Sequence, residues 1–153
     1  MNTKHLITAS LIGGLMSLVL VNTPWVNLVN LLICAGFWAG PIVAVWLYRR
    51  LNGMLTLREA VIAGLLAGAW HGLFGLTLSP LGLAGAGGVL NELRPFASPQ
   101  DWSDLEAALT GVGGMLFNLV GIIIDVAFGF LGGLLGGAIF RADRETRKTG
   151  IQI

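Results

Sequence analysis

Residues 63–76, AGLLAGAWHGLFGL, decide the fold of this chain. The stretch is apolar, carries a glycine at every fourth position from Gly64 to Gly72, and contains a single histidine, His71. In hydrocarbon every backbone amide must be satisfied within its own segment, so an apolar run of this kind favours a helix that crosses lipid. The rest of the sequence can be interpreted outward from this helix.

The composition of the 153-residue chain favours a membrane protein. Hydrophobic residues make up 55% of it and charged residues only 11%, whereas a typical soluble domain carries about 25% charged residues. The net charge is +1, and no basic patch with interleaved aromatic residues occurs, which argues against binding of nucleic acid. The single cysteine, Cys34, excludes an internal disulfide and a zinc site built on cysteines.

Four apolar segments predict an all-α membrane protein with four transmembrane helices in one integral membrane domain. The predicted spans are residues 6–22, 28–48, 59–78 and 111–140, with an outer loop over 79–110 and a cytoplasmic tail over 141–153. The motif TLRE (56–59) predicts a capping box before the third span. Ser98 followed by Pro99 predicts the start of an amphipathic helix in the outer loop.

The basic residues predict the orientation of the four spans. Eight of them fall on one side of the membrane and only Arg94 falls on the other. The eight are Lys4, Arg49, Arg50, Arg58, Arg141, Arg144, Arg147 and Lys148. Because positive charges favour the cytoplasmic side, we expect a protein of the plasma (inner) membrane with both termini in the cytoplasm.

Two pairs of segments suggest an internal duplication. SLIGGLMS (10–17) aligns with VIAGLLAG (61–68), and GFWAGPIVAVWLYRR (36–50) aligns with GFLGGLLGGAIFRAD (129–143). A true duplication would give two helical hairpins in parallel orientation. In its span number, its cytoplasmic termini and the phrases GLLAGAWHGLFG and GFLGGLLGGAIF, the chain resembles small glycine-rich four-span membrane proteins of prokaryotes. That resemblance implies a fold type and no activity.

Glycines at four-residue spacing mark the helix faces that we expect to pack closely, because missing side chains let backbones approach. Such faces occur in the second, third and last spans. They comprise Gly36 and Gly40, then Gly64, Gly68 and Gly72, and finally Gly121, Gly129, Gly133 and Gly137. A second register, Gly132 with Gly136, lies beside the last one. These faces would hold the chain together internally or would join it to a second copy.

Three polar residues interrupt the apolar segments and form the candidate site. His71 and Asp125 lie about 20 Å and 24 Å from the basic ends of their spans, at 1.5 Å per residue, and therefore at similar depth. Asn118 lies on the same helix face as Asp125. A charged aspartate in a bilayer costs about 2.5–3.5 kcal/mol on insertion scales, so we expect His71 to be its partner, with Asn118 nearby.

Three hypotheses remain for this site: a structural polar clamp, a proton- or ion-linked site of a small transporter or channel, and an axial haem or chlorophyll ligand at His71. No nucleophile elbow, zinc-protease motif, phosphate loop or dinucleotide fingerprint occurs. We therefore expect a non-enzymatic protein with no metal and no cofactor. It would act through glycine-mediated helix packing as a homo-oligomer or as a small subunit of a membrane complex.

The charge distribution predicts where reporter domains will function. A periplasm-active reporter fused after Phe140 should be inactive, and the same reporter inserted in the 79–110 loop should be active, because the loop and the tail lie on opposite sides. Enzyme activity in intact cells measures both fusions. Activity of the fusion after Phe140 would contradict the predicted topology.

Overall fold

The computed structural model describes residues 1–22, 35–81, 83–84, 90 and 93–148, and for residues 35 and 141–148 it describes the backbone only. This part of the chain is all-helical and contains no strand. Its five α-helices are α1 (Thr3–Asn22), α2 (Ala35–Asn52), α3 (Leu57–Leu78), α4 (Pro99–Leu109) and α5 (Gly111–Lys148). Short 3-10 helices cover Ser79–Leu81 and Arg94–Phe96.

Three helical stretches are long and apolar enough to cross a membrane: Thr3–Asn22, Leu57–Leu81 and Gly111–Phe140. They correspond to the first, third and fourth predicted spans. The second predicted span, 28–48, is described only from residue 35 onward, because residues 28–34 lie outside the described part, and α2 is not among these three. Pro41 lies inside α2, and Arg49 and Arg50 lie in its last turn. Four spans therefore remain a prediction.

The capping signals of the sequence match the helix starts. Thr56 is the N-cap of α3 and forms a complete capping box with Glu59, so α3 begins at Leu57, two residues before the predicted span. Ser98 caps α4 by accepting from the amide of Asp101, with Pro99 at the start of the helix. Gly111 has a φ of +58°, which a residue with a side chain rarely adopts, and this permits the turn from α4 into α5.

The helices pack so that α1 contacts α2 and α3, while α2 and α3 both contact α5. The most extensive contacts are those of α3 with α5 and of α1 with α2. We call the end of the bundle with Arg49, Arg50 and Arg58 the arginine end, and the end with Asn22 and Gly111 the loop end.

The contact of α1 with α2 is built from small residues. A methyl group at Gly13 would lie 2.6 Å from both the carbonyl oxygen of Gly40 and the Cβ of Ala44, and one at Gly40 would overlap Ser17. The backbones of α1 and α2 therefore approach closely, with only small side chains between them, as in small-residue interfaces of membrane helices. Ser10, Gly13 and Ser17 recur at three- and four-residue spacing, which is the sequence signal of this interface.

The contact of α3 with α5 has the same character and uses two of the predicted glycine faces. A methyl group at Gly64 would lie 2.6 Å from the Cα of Gly133, and one at Gly129 would lie 3.1 Å from the Cα of Gly68. At Gly137 a methyl group would lie 3.0 Å from the Cβ of Ala60. These glycines face another helix of the same chain.

The second glycine register of α5 faces α2. A methyl group at Gly132 would lie 2.7 Å from the Cβ of Pro41, and one at Gly136 would lie 3.0 Å from the Cβ of Val45. Gly121 differs from its expected role, because nothing lies within 4 Å of the place where its side chain would be. Gly36 is buried.

This packing predicts that equal substitutions at two glycines of α3 will have opposite effects on stability. Gly64→Ala should destabilise the protein by about 1–3 kcal/mol, because the methyl group meets backbone atoms that cannot turn away. Gly75 has nothing within 4 Å, so Gly75→Ala should be neutral or stabilising by up to about 1 kcal/mol. Denaturation in detergent measures both, and equal midpoints would contradict the packing.

Candidate functional site: a buried histidine–aspartate pair

His71 is held in α3 by close neighbours on three sides. It is buried, with 8% of its surface exposed. Gly14 lets α1 approach here, since a methyl group at Gly14 would lie 3.1 Å from the backbone nitrogen of His71. From α2, the Phe37 ring meets the imidazole at 5.7 Å in an edge-to-face arrangement, and Phe37 in turn lies 5.5 Å from the Phe128 ring of α5. The orientation of the imidazole is thereby restricted.

Asp125 of α5 meets His71 directly. Its Oδ1 lies 3.0 Å from Nδ1 of His71, and Asp125 is also only 8% exposed. The structure therefore brings together the two residues that the sequence placed at similar depth.

The glycines of α3 allow this short carboxylate to reach the imidazole. A methyl group at Gly68 would overlap the backbone carbonyl of Asp125, and one at Gly72 would lie 3.1 Å from Oδ2 of Asp125 and 2.8 Å from the side chain of Ile122. Aspartate has a single methylene between its backbone and its carboxyl group, so the two helix backbones must be close for the pair to form. The glycine face and the polar pair are thus one structural feature.

Asn118 lies in the same region but does not join the pair through a direct hydrogen bond. Its Nδ2 donates to Oγ of Ser79 at 3.2 Å, which links α5 to the end of α3. Asn118 and the pair instead share the wall of one cavity. Ser79 and Phe37 are residues that sequence reasoning missed. Their sequence neighbourhoods carry no periodic signal that points to this site.

The cavity beside the pair has a volume of about 260 Å³. Its described lining includes His71 and Asp125 together with Asn22, Phe37, Asn118 and Gly121. Gly121 therefore contributes space to the cavity rather than a helix contact. Because Asn22 and Ala84 also line it, the cavity extends from the pair toward the loop end.

Toward the arginine end the packing beside the pair is closed. Ala67, Ala63 and Ala60 follow His71 down α3 and are each 0% exposed. Beyond them Tyr48 donates from its hydroxyl group to Oε1 of Glu59 at 2.9 Å and ties α2 to α3. In the described part of the chain, the cavity beside the pair therefore lies on its loop-end side.

The surroundings of the pair bear on the metal and macrocycle hypotheses. No group of three or more His, Cys, Asp or Glu residues that could hold a metal ion occurs among the described residues. Asp125 engages only Nδ1 of His71, which leaves Nε2 as the ring nitrogen that could act as a ligand. The cavity of about 260 Å³ is smaller than the roughly 300–1,000 Å³ typical of ligand pockets. Of these features, only the cavity volume argues against the haem or chlorophyll hypothesis.

Over the residues that the structure describes, the fold and this site define a class: an all-helical protein with three candidate membrane-spanning helices and a polar pair buried between two of them. The chain matches no family model, no curated protein and no solved structure. Its function is therefore inferred from its own residues.

The geometry predicts energetic coupling between the two side chains. His71→Leu and Asp125→Ala should each destabilise the protein by about 3 kcal/mol, since either one leaves a buried polar group without its partner. The double variant should be destabilised by at least about 1 kcal/mol less than the sum of the two. A double-mutant cycle of detergent denaturation measures the difference, and strict additivity would show that the pair is not energetically coupled.

Proposed function

We propose that this protein is a non-enzymatic integral membrane protein that passes protons through the His71–Asp125 pair, as a small transporter or channel. The observation that carries the proposal is the 3.0 Å contact of the two side chains at the inner end of a cavity. Ionisable residues inside a membrane are rare because they are costly, and they mark ion pathways and proton relays. A purely structural clamp does not need a cavity beside it, whereas His71 and Asp125 line one.

Two arrangements of the proton are compatible with the contact between the His71 and Asp125 side chains. With a neutral imidazole and a protonated carboxyl group, or with an imidazolium and a carboxylate, the pair has no net charge, and both forms keep the hydrogen bond between Nδ1 and Oδ1. Gain or loss of one proton then changes the charge by one unit. No other titratable side chain lies among the described residues that line the cavity.

The position of the cavity on the loop-end side of the pair supports a directional role for the site. The cavity reaches the pair from the loop end, and the small residues of α3 close the path toward the arginine end. The charge distribution predicts that the loop end lies outside the cell. Protons would then reach the pair from the outside, and release to the cytoplasm would require the closed side to open.

Glycine-mediated packing supports this function by holding together helices of the same chain. The glycine faces that make close contacts meet helices of the same chain, as Gly64 meets Gly129 and Gly132 meets Pro41. Assembly into a homo-oligomer or with another membrane subunit remains a prediction and would use other surfaces. The native mass of the purified protein in mild detergent measures it.

Proton flux in liposomes tests the proposal. Protein reconstituted around an enclosed pH dye should admit protons when a potassium diffusion potential is applied, and Asp125→Asn should reduce the rate to that of protein-free liposomes. Asparagine preserves the size and hydrogen bonding of the residue at 125 but does not bind a proton at this position. His71→Gln should have the same effect.

The matched control is Asp104→Asn, which removes an exposed carboxylate of α4 that lies away from the pair. Its flux should equal that of the unmodified protein. If the unmodified protein passes no protons, or if Asp125→Asn assembles normally and keeps full flux, the pair is a structural clamp and the proposal is wrong.

A further inference from the structure

A second and larger cavity lies at the loop end, between α4, the first turns of α5 and the end of α3. Its volume is about 620 Å³, within the range of pockets that bind organic molecules. Much of its described wall is apolar and includes Leu76, Leu81, Leu109 and Met115. Leu76 belongs to one candidate span and Met115 to another, so this wall continues onto surfaces suited to lipid chains.

Two opposite charges stand on the wall of this cavity. The Arg94 guanidinium lies over the indole ring of Trp102, 5.7 Å from the ring centroid. Glu106 lies four residues after Trp102 in α4, hence on the same helix face, and it lines the cavity with them. No ion pair between Arg94 and Glu106 occurs, although both belong to the described part of the chain. Each charge therefore remains open to a ligand.

We propose that this cavity binds a zwitterionic lipid of the bilayer. Its phosphate would be held by Arg94, its ammonium group by Glu106, and an acyl chain would lie along the apolar wall beside Leu76 and Met115. Guanidinium groups bind phosphate through charge-assisted hydrogen bonds, and a carboxylate accepts from an ammonium group. Trp102, with an apolar body and one polar group, suits the level of the headgroups.

The charge pair distinguishes this ligand from other lipids. An anionic lipid would satisfy Arg94 but would place its negative charge near Glu106, and a cationic amphiphile would do the reverse. The cavity wall therefore complements a headgroup that carries both charges. The charged residues of this site differ from His71 and Asp125. A test of lipid binding is therefore independent of the test of proton flux.

Lipid binding to the full chain in detergent tests the proposal, with native mass spectrometry as the readout. The probes are phosphatidylethanolamine, phosphatidylglycerol and soluble glycerophosphoethanolamine. We expect the unmodified protein to bind phosphatidylethanolamine most tightly. Arg94→Gln should weaken that binding about tenfold or more, as expected for the loss of a charge-assisted hydrogen bond. Glu106→Gln should reverse the preference in favour of phosphatidylglycerol.

Two matched controls separate this site from general effects of charge. Arg50 also lies over a tryptophan, Trp46, at 5.5 Å, but it is not on the wall of this cavity. Arg50→Gln and Asp104→Asn should leave lipid binding unchanged. The proposal is overturned if Arg50→Gln weakens binding as much as Arg94→Gln, if the unmodified protein does not prefer the zwitterionic lipid, or if the soluble headgroup binds as tightly as the lipid.

Discussion

The close approach of α3 and α5 is the constraint on which the rest of the structure depends. At Gly68 the two backbones meet with no space for a side chain, and the residue opposite is Asp125. Lipid provides no hydrophobic force between helices, so dispersion contacts at such places must do much of the holding. The same contact sets the reach of the Asp125 carboxylate to His71. The close packing at Gly68 and the position of the Asp125 carboxylate are therefore coupled in this protein.

That coupling explains how far sequence reasoning could go. Depth along a helix follows from a constant rise per residue, so His71 and Asp125 could be placed at one level from spacing alone. The four-residue glycine spacing identified the faces that pack, because it reports which side of a helix lacks side chains. These two signals are sufficient to predict the pair from the sequence.

The surroundings of a residue also depend on which helix lies opposite it. The spacing of residues along the sequence does not report that. Gly121 shares the register of Gly129 and Gly133, yet it borders a cavity because no helix approaches it there. Asn118 shares a face with Asp125, yet its amide donates to Ser79. The span predicted over 28–48 is another example. Only residues 35–48 of it are described, with Pro41 among them, and α2 continues past the predicted end through Arg49 and Arg50. Its apolar character alone does not establish a crossing.

The last helix has a mechanical consequence of its own. α5 runs unbroken over the 38 residues from Gly111 to Lys148, which corresponds to about 57 Å and exceeds the roughly 30 Å of a bilayer core. Between Asp125 and Phe140 the helix is held on two sides, because its glycines lie against α3 and α2. Gly137 lies beside Leu57, the first residue of α3, so the 11 residues from 138 to 148 continue the helix beyond the start of α3 and extend it as a projection anchored in the packed part of the bundle.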